Sequence, residues 1–451
     1  MEMTKGSLWN KILIFALPLA ACSILQQLFN SADVAVVGRF AGSEALAAVG
    51  GNGAVISLLI NLFTGLSVGA NVVIASYVGK KDKEKVSQAV HTVFVMALLS
   101  GVFLILLGGM VAQPLLSLMG TPNEVLDLAV LYLRIYFVGM PFVMVYNFGS
   151  AILRSVGDTR RPLYCLILSG VINVILNLIF VVGFQLSVVG VGLATVIANG
   201  VSAMLMVYFL THAKAEQEII RLDLRSLKLR KEHVISVIKI GAPAGIQGMV
   251  FSFSNVCIQS GINSFGTNAI AGSSIELNYE YITYFMSSAF AQSAVTFTSQ
   301  NFAAGEYKRC MKVWGLCSAF GIGITGLLSL ICVGGREVFI DIFSRDVKAK
   351  EFAEIRFLRV ELFEWMTCIY EVMGGVLRGR GNSLTPALIT LLGSCGLRML
   401  WIYTVFAKYN SFSALMTVYP VSWMITSIGM FVAFVYIWQQ KGRKYEFYNK
   451  K

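Results

Sequence analysis

The sequence predicts an all-α polytopic membrane protein, with 12 transmembrane helices in two six-helix bundles related by a pseudo-two-fold axis along the membrane normal. Three observations predict it. Hydrophobic residues make up 56% of the 451 positions, charged residues only 13%, and mean hydropathy is +0.72; a soluble domain carries about 25% charged residues. Apolar stretches long enough to cross a bilayer, which takes about 20 residues, recur along the whole chain. The two halves also resemble each other at an offset of about 224 residues. Repeats of equal orientation are related by an axis along the membrane normal, with a cavity expected between them.

The predicted spans are 12–37, 50–77, 89–112, 128–152, 162–184 and 188–211, then 234–260, 270–298, 312–334, 356–376, 386–407 and 413–438. The widest charged gap, 213–233 (AKAEQEIIRLDLRSLKLRKEH), separates six from six. The expected division is therefore an N-terminal lobe over 1–212, a cytoplasmic linker over 213–233, a C-terminal lobe over 234–440 and a basic cytoplasmic tail over 441–451. The first span opens with Lys5 and Lys11 and passes through Leu19-Ala20-Ala21-Cys22, which resembles a lipoprotein cleavage site. The apolar run continues to Val37, and a similar Pro-interrupted segment, IKIGAPAGIQGMVF, opens the second half, so an uncleaved first span is expected.

Orientation follows from the basic residues. With the N-terminus inside, 25 of the 36 Lys and Arg fall in cytoplasmic segments and 6 in outer loops, the asymmetry of the positive-inside rule. Both termini are expected in the cytoplasm and the chain in the cell (inner) membrane. The net charge of +12 is thereby accounted for without nucleic acid, for which the basic residues would have to cluster on one soluble face. The eight cysteines form no C-x-x-C, and only three histidines exist, which argues against a metal cluster, a disulfide framework and His-based catalysis. No Walker A pattern is present, so self-contained ATP-driven transport is not expected.

The repeat is clearest where Leu153-Arg154-x-x-Gly157-Asp158-Thr159-x-x-Pro162 matches Leu377-Arg378-x-x-Gly381-Asn382-Ser383-x-x-Pro386, each between the fourth and fifth spans of its half. The local chemistry is that of a hairpin. Gly permits a tight turn, Asp/Asn and Ser/Thr cap the next helix, and Pro suits a first turn. Arg154 and Arg378 are expected at the cytoplasmic surface, where anionic lipid attracts them.

Ionisable groups inside a membrane are costly and are functional candidates by default. At 1.5 Å per residue, Asp33 lies about 9 Å below the outer surface. Asn177 and Thr195 lie at similar depth, and Asn173 is one turn deeper on the face of Asn177. These four can converge in the outer half of the N-terminal lobe. A carboxylate with amide and hydroxyl oxygens suits Na⁺ or H⁺. The C-terminal half carries Glu276 and Glu280 one turn apart, Glu364 and Glu371 two turns apart, and Arg398 in mid-span. A buried Arg needs a carboxylate partner, and depth alone makes Glu280 or Glu364 the expected partner of Arg398.

Twelve spans in two similar halves, the repeated LRxxG[DN][ST]xxP, the first-span Asp33-x-x-x-x-Gly38-Arg39 and QNFAAG at 300–305 together resemble the multidrug and toxic compound extrusion (MATE) transporters over roughly 10–440. The resemblance implies a non-enzymatic antiporter that exports amphipathic, often cationic, compounds in exchange for H⁺ or Na⁺. It implies no cofactor beyond the coupling ion and no metal beyond Na⁺ at Asp33. The partners it implies are small substrates and the lipid bilayer, with no nucleic acid and no ATP, and a monomer is expected. It also implies an N-lobe cation site at Asp33, Asn173, Asn177 and Thr195. The family often has Asp where this chain has Asn177, which puts tight Na⁺ binding in doubt and favours Asp33 as a lone proton acceptor. A C-lobe site of a span-7 Glu and a span-10 Asp is not carried over, because those regions read Phe251-Ser252-Phe253-Ser254 and Thr367. A flippase for lipid-linked or polysaccharide substrates is the alternative of the same shape; it would favour a strongly basic cavity, whereas the intramembrane balance here is acidic.

Overall fold

The computed structural model describes residues 2–118, 121–213 and 215–448, with side chains described up to 439. The side chains of the predicted basic tail therefore lie outside the described residues. Among the described residues the chain is predominantly helical, with no strand. The first half contains α1 (Leu8–Phe40), α2 (Ser43–Gly51), α3 (Gly53–Gly79), α4 (Lys83–Leu118), α5 (Asn123–Val138), α6 (Met140–Ser155), α7 (Arg160–Asn177) and α8 (Ser187–Thr211). The second contains α9 (Lys231–Asn263), α10 (Thr267–Ala303), α11 (Tyr307–Gly334), α12 (Arg336–Phe343), α13 (Val347–Arg359), α14 (Met366–Gly379), α15 (Leu384–Thr390), α16 (Leu397–Trp401), α17 (Ala407–Tyr409), α18 (Phe412–Met416) and α19 (Val418–Tyr448).

Among the described residues nine helical stretches are long and apolar enough to cross a membrane, and α5 with α6, bent by 47° at Gly139, makes a tenth. The other two predicted spans, 270–298 and 356–376, fall on α10 and on α13–α14. Both are rich in buried polar and charged groups, and the second is broken by a 3₁₀ turn at Glu361–Phe363. α10 carries the interior charge Glu276, and the α13–α14 stretch, whose helices are 13 and 14 residues long, carries Arg356, Glu361 and Glu364.

The repeat predicted from sequence reappears in backbone geometry. Positive φ occurs at Gly42 (88°) and Gly266 (87°), at Lys81 (59°) and Gly305 (82°), and at Gly157 (87°) and Gly381 (87°), each pair about 224 residues apart. A π turn comes directly after α7 at Leu178–Gly183, and another lies at the repeated place, Ile402–Phe406. In the LRxxG[DN][ST]xxP hairpins Asp158 and Asn382 supply the expected caps, whereas Thr159 and Ser383, which stand at the N-cap positions, make no side-chain cap bond. Asp158 Oδ1 accepts the backbone N–H groups of Arg160 and Arg161, both at 3.2 Å, and Asn382 Oδ1 accepts that of Thr385 at 3.2 Å. These bonds satisfy first-turn donors that a helix leaves open. The arginines depart from expectation. Arg154 is half-buried and donates to the Ser150 carbonyl (3.2 Å), while Arg378 folds back to 3.8 Å from Glu371, its side chain 11% exposed. Being one to two helical turns C-terminal to these partners, both guanidiniums reach back along their own helices instead of out to lipid headgroups.

The chain divides into two compact units, residues 1–3 with 18–249 and residues 4–17 with 250–451. The division falls within α9. In the first unit, the N-terminal turns of α9 pack on α3 through facing glycines. A Cβ on Gly65 would lie 2.1 Å from the Gly245 backbone nitrogen, and one on Gly69 would lie 2.4 Å from the Val237 carbonyl oxygen. Such contacts between backbones are how helices associate in lipid, where apolar burial supplies no net drive. In the second unit α10 is the central helix and packs against α11, α13 and α14.

Candidate functional site

In the first unit, α1, α7 and α8 bring together four polar side chains. Asp33 is 8% exposed, Asn173 6% and Asn177 fully buried. Asn177 Nδ2 donates to Asp33 Oδ1 at 2.5 Å and lies 3.3 Å from Asn173 Oδ1. Asn173 Nδ2 in turn donates to Thr195 Oγ1 at 3.4 Å. The Thr195 hydroxyl bonds to the Val191 carbonyl at 2.9 Å and also hydrogen-bonds Asp33. The sequence thus names all four members of this cluster. It misses Tyr132 and Tyr136 of α5, which stand within electrostatic reach of Asp33.

Local structure explains the convergence. Asn173 and Asn177 are i and i+4 on α7, so they share a face. That face closes on α1, where Phe29 takes the space that a Cβ on Gly170 would fill (1.9 Å). The π turn at Leu178–Gly183 begins directly after Asn177; a π segment inserts a residue and often marks a functional position. Asn177 Oδ1 is buried with no hydrogen-bond partner, so the cluster holds one carboxylate and one unused amide oxygen in a place where unsatisfied acceptors are costly. Among the described residues, the groups that interact with Asp33 are the neutral side chains of Asn177 and Thr195 and the two tyrosines, and include no cation.

The second unit holds a different set. Arg356 of α13 donates through Nε to Glu276 Oε2 and through Nη2 to Glu280 Oε2 at 2.7 Å, both carboxylates on α10. Glu361 accepts the Thr283 hydroxyl at 2.7 Å. Glu364 lies within electrostatic reach of Glu276, Glu280, Glu361 and Arg398. One oxygen each of Glu276, Glu361 and Glu364 is buried without a partner. Glu371 stands apart from this group, paired with Arg378.

Arg398 does not take the carboxylate partner expected for it. It is 1% exposed and bonds instead to Asn255 Oδ1 (3.0 Å) and Ser422 Oγ (3.4 Å), with its guanidinium over the rings of Tyr419 (4.5 Å) and Phe251 (5.0 Å). The reason is angular. Glu276 and Glu280 turn toward α13, so the arginine they meet is Arg356. Sequence reasoning passed over Arg356 and Glu361. Their signal was an Arg at the first position of the predicted tenth span, then Glu361-x-x-Glu364 on one helical face.

A protein-family model described as MatE matches twice, over residues 18–179 and 243–404. The chain belongs to the MatE family. The two matches coincide with the repeat and cover more than half of the sequence. Among curated relatives, the probable multidrug resistance protein YoeA of Bacillus subtilis (strain 168) is 26% identical over 98% of this chain and 96% of its own length. The probable multidrug resistance protein NorM of Thermotoga maritima is 26% identical over 85% of this chain and 82% of its own length. Among solved structures, an outward-facing multidrug resistance MATE family transporter of the MOP superfamily superposes with TM-score 0.88 at 20% identity, covering 96% of each chain. A MATE crystal structure in the bent conformation gives 0.83 at 21% identity, covering 96% of this chain and 95% of that one. At these identities the structural likeness shows the fold. This MatE chain is a polytopic membrane protein.

Proposed function

We propose that this MatE chain is a secondary active antiporter that exports amphipathic cationic compounds, with Asp33 as the group that takes up the coupling ion and H⁺ as that ion. The observation that carries this reading is the buried Asp33 carboxylate, held by the amide of Asn177 and the hydroxyl of Thr195 with no fixed cation beside it. A carboxylate so placed exchanges one positive charge with each side of the membrane while its surroundings stay neutral. The choice of H⁺ over Na⁺ rests on the ligand set. Na⁺ is a hard cation that wants several oxygen ligands, whereas here one side of Asp33 faces an amide N–H and only one carboxylate is present. A proton needs only one lone pair on a carboxyl oxygen.

The printed names of the curated relatives, multidrug resistance proteins and multidrug export proteins, support drug-like substrates. The interior of the second unit, in which Glu276, Glu280, Glu361 and Glu364 outnumber Arg356 and Arg398, suits cationic ones. On this reading the protein acts as a monomer in the cell membrane with both termini in the cytoplasm, and is not an enzyme. It uses no ATP or other cofactor. Reconstituted protein loaded with ethidium tests the coupling ion: efflux driven by an imposed pH gradient with Na⁺ equal on both sides is the expected result. Efflux that responds only to a Na⁺ gradient would overturn the choice of H⁺, and no efflux under either gradient would overturn the exporter reading.

A further inference from the structure

The two repeats place their polar interior groups on corresponding helices, with opposite charge. In the first unit Asp33 on α1 meets Asn173 and Asn177 on α7 and Thr195 on α8. In the second unit Asn255 on α9 meets Arg398 on α16, which also meets Tyr419 and Ser422 on α19. The helices correspond at the offset of about 224 residues. Arg398 is one residue from the repeat of Asn173, Tyr419 stands at that of Thr195, and Asn255 is two residues before that of Asp33. Where the first repeat has an uncompensated carboxylate, the second has a guanidinium.

We infer that Arg398 is a tethered cation that permanently fills the second unit's counterpart of the Asp33 site. The counterpart is a cage suited to a planar cation. Phe251 and Tyr419 present ring faces at 5.0 and 4.5 Å from the guanidinium carbon, Asn255 supplies an amide oxygen and Ser422 a hydroxyl oxygen. Every one of these four partners is neutral, so the cage itself contributes polarisable and dipolar stabilisation, while the Glu364 carboxylate lies within electrostatic reach of Arg398 but is not one of the cage groups. Ring faces attract a desolvated cation through their quadrupole. The same Tyr419 ring also lies 5.6 Å from Arg356, so one aromatic group faces both interior guanidiniums of this unit.

The assignment deepens the proposed function and rests on it in one respect: it says why the repeated scaffold would couple through one unit only. A mobile cation cannot enter a cage that holds a covalently attached one, whereas at Asp33 the corresponding place is open to a proton. The cage's ligand class is thereby named as guanidinium-like or other planar organic cations, and it becomes vacant only when Arg398 is truncated.

The test is chemical rescue, read without transport so that its failure is separable from failure of the Asp33 reading. Purified full-length Arg398→Ala is unfolded thermally in detergent at fixed ionic strength with millimolar guanidinium, ammonium or sodium chloride. The expected result is a Tm below wild type that guanidinium alone raises, saturably and by ~3 °C or more well above its Kd, with no rise in wild type. The double variant Arg398→Ala/Tyr419→Ala is expected to lose the guanidinium response. If the alanine variant does not accumulate, Arg398→Gln, which keeps an amide toward Asn255 and leaves most of the cage empty, carries the same readout. The inference is overturned if guanidinium lowers the Tm of the variant as it lowers that of wild type, or if all three salts act alike.

Discussion

Asn177 donates its side-chain amide to Asp33 from a position at the last turn of α7, immediately before the π turn, and keeps its own carbonyl oxygen buried and unpartnered. This relationship sets the charge of the first unit's interior. One carboxylate is present, and an N–H group already occupies one of its sides.

Replacing Asn177 by Asp should therefore change the ion that the site prefers. The variant adds a second carboxylate beside the first and removes the N–H donor, which makes the site an oxygen-only environment for a hard cation. Ethidium efflux by Asn177→Asp in proteoliposomes is expected to become responsive to an imposed Na⁺ gradient. Unchanged indifference to Na⁺ would mean that geometry, not charge count, excludes the ion.

Truncating Arg356 alone should be more damaging than removing it together with the charges of its two carboxylate partners. Arg356→Ala strands Glu276 and Glu280, one of them fully buried, next to Glu361 and Glu364. Breaking a buried ion pair from one side costs about 3–5 kcal/mol. The triple change Arg356→Met/Glu276→Gln/Glu280→Gln removes charge from both sides and is expected to be closer to wild type. Thermal unfolding of the purified proteins checks the order.

The α3–α9 contact makes a packing prediction with an internal control. Gly65→Ala or Gly245→Ala forces a methyl group against backbone at 2.1–2.3 Å, which something must move to admit. Overpacking of this kind costs about 1–3 kcal/mol. Gly109→Ala, on a helix surface where a Cβ meets nothing within 4 Å, is expected to be neutral or to stabilise by about 0.5–1 kcal/mol through helix propensity. Comparable losses in all three variants would contradict the packing account.

The hairpins of the repeat depend on left-handed glycines. Gly157 and Gly381 both sit at φ 87°, where an L side chain costs about 1–2 kcal/mol. Gly157→Ala and Gly381→Ala are each expected to lower Tm, although no atom lies near enough to Gly381 to clash with a new Cβ. Absence of an effect at Gly381 would show that the backbone relaxes there at no cost.

How far the sequence discloses the site depends on geometry along and around a helix. Depth is readable, because each residue adds a fixed rise; that is why Asp33, Asn173, Asn177 and Thr195 emerge as one cluster, the two asparagines further constrained by their i,i+4 spacing. The angle of a side chain about its helix axis is not readable when the helix is polar on several faces, as α10 is. Depth therefore suggested Glu280 or Glu364 for Arg398, whereas azimuth gives Glu276 and Glu280 to Arg356. The 3₁₀ turn at Glu361–Phe363 and the three π segments also rotate the helical residues downstream of them, and no local composition marks them. The hairpins were legible because their signal is chemical and contiguous. The inward folding of Arg154 and Arg378 was not, since positive charge near a membrane end fits a lipid-facing side chain equally well.

The most direct test of the central claim is substrate-driven proton movement in proteoliposomes, monitored with an internal pH dye when ethidium is added, for wild type and Asp33→Asn side by side. The account predicts proton counter-movement with ethidium in wild type. In the variant it predicts retained ethidium binding and no proton movement, because the amide cannot exchange a proton at neutral pH. Proton movement of wild-type size in Asp33→Asn would contradict it and would transfer the coupling role to the carboxyls around Arg356.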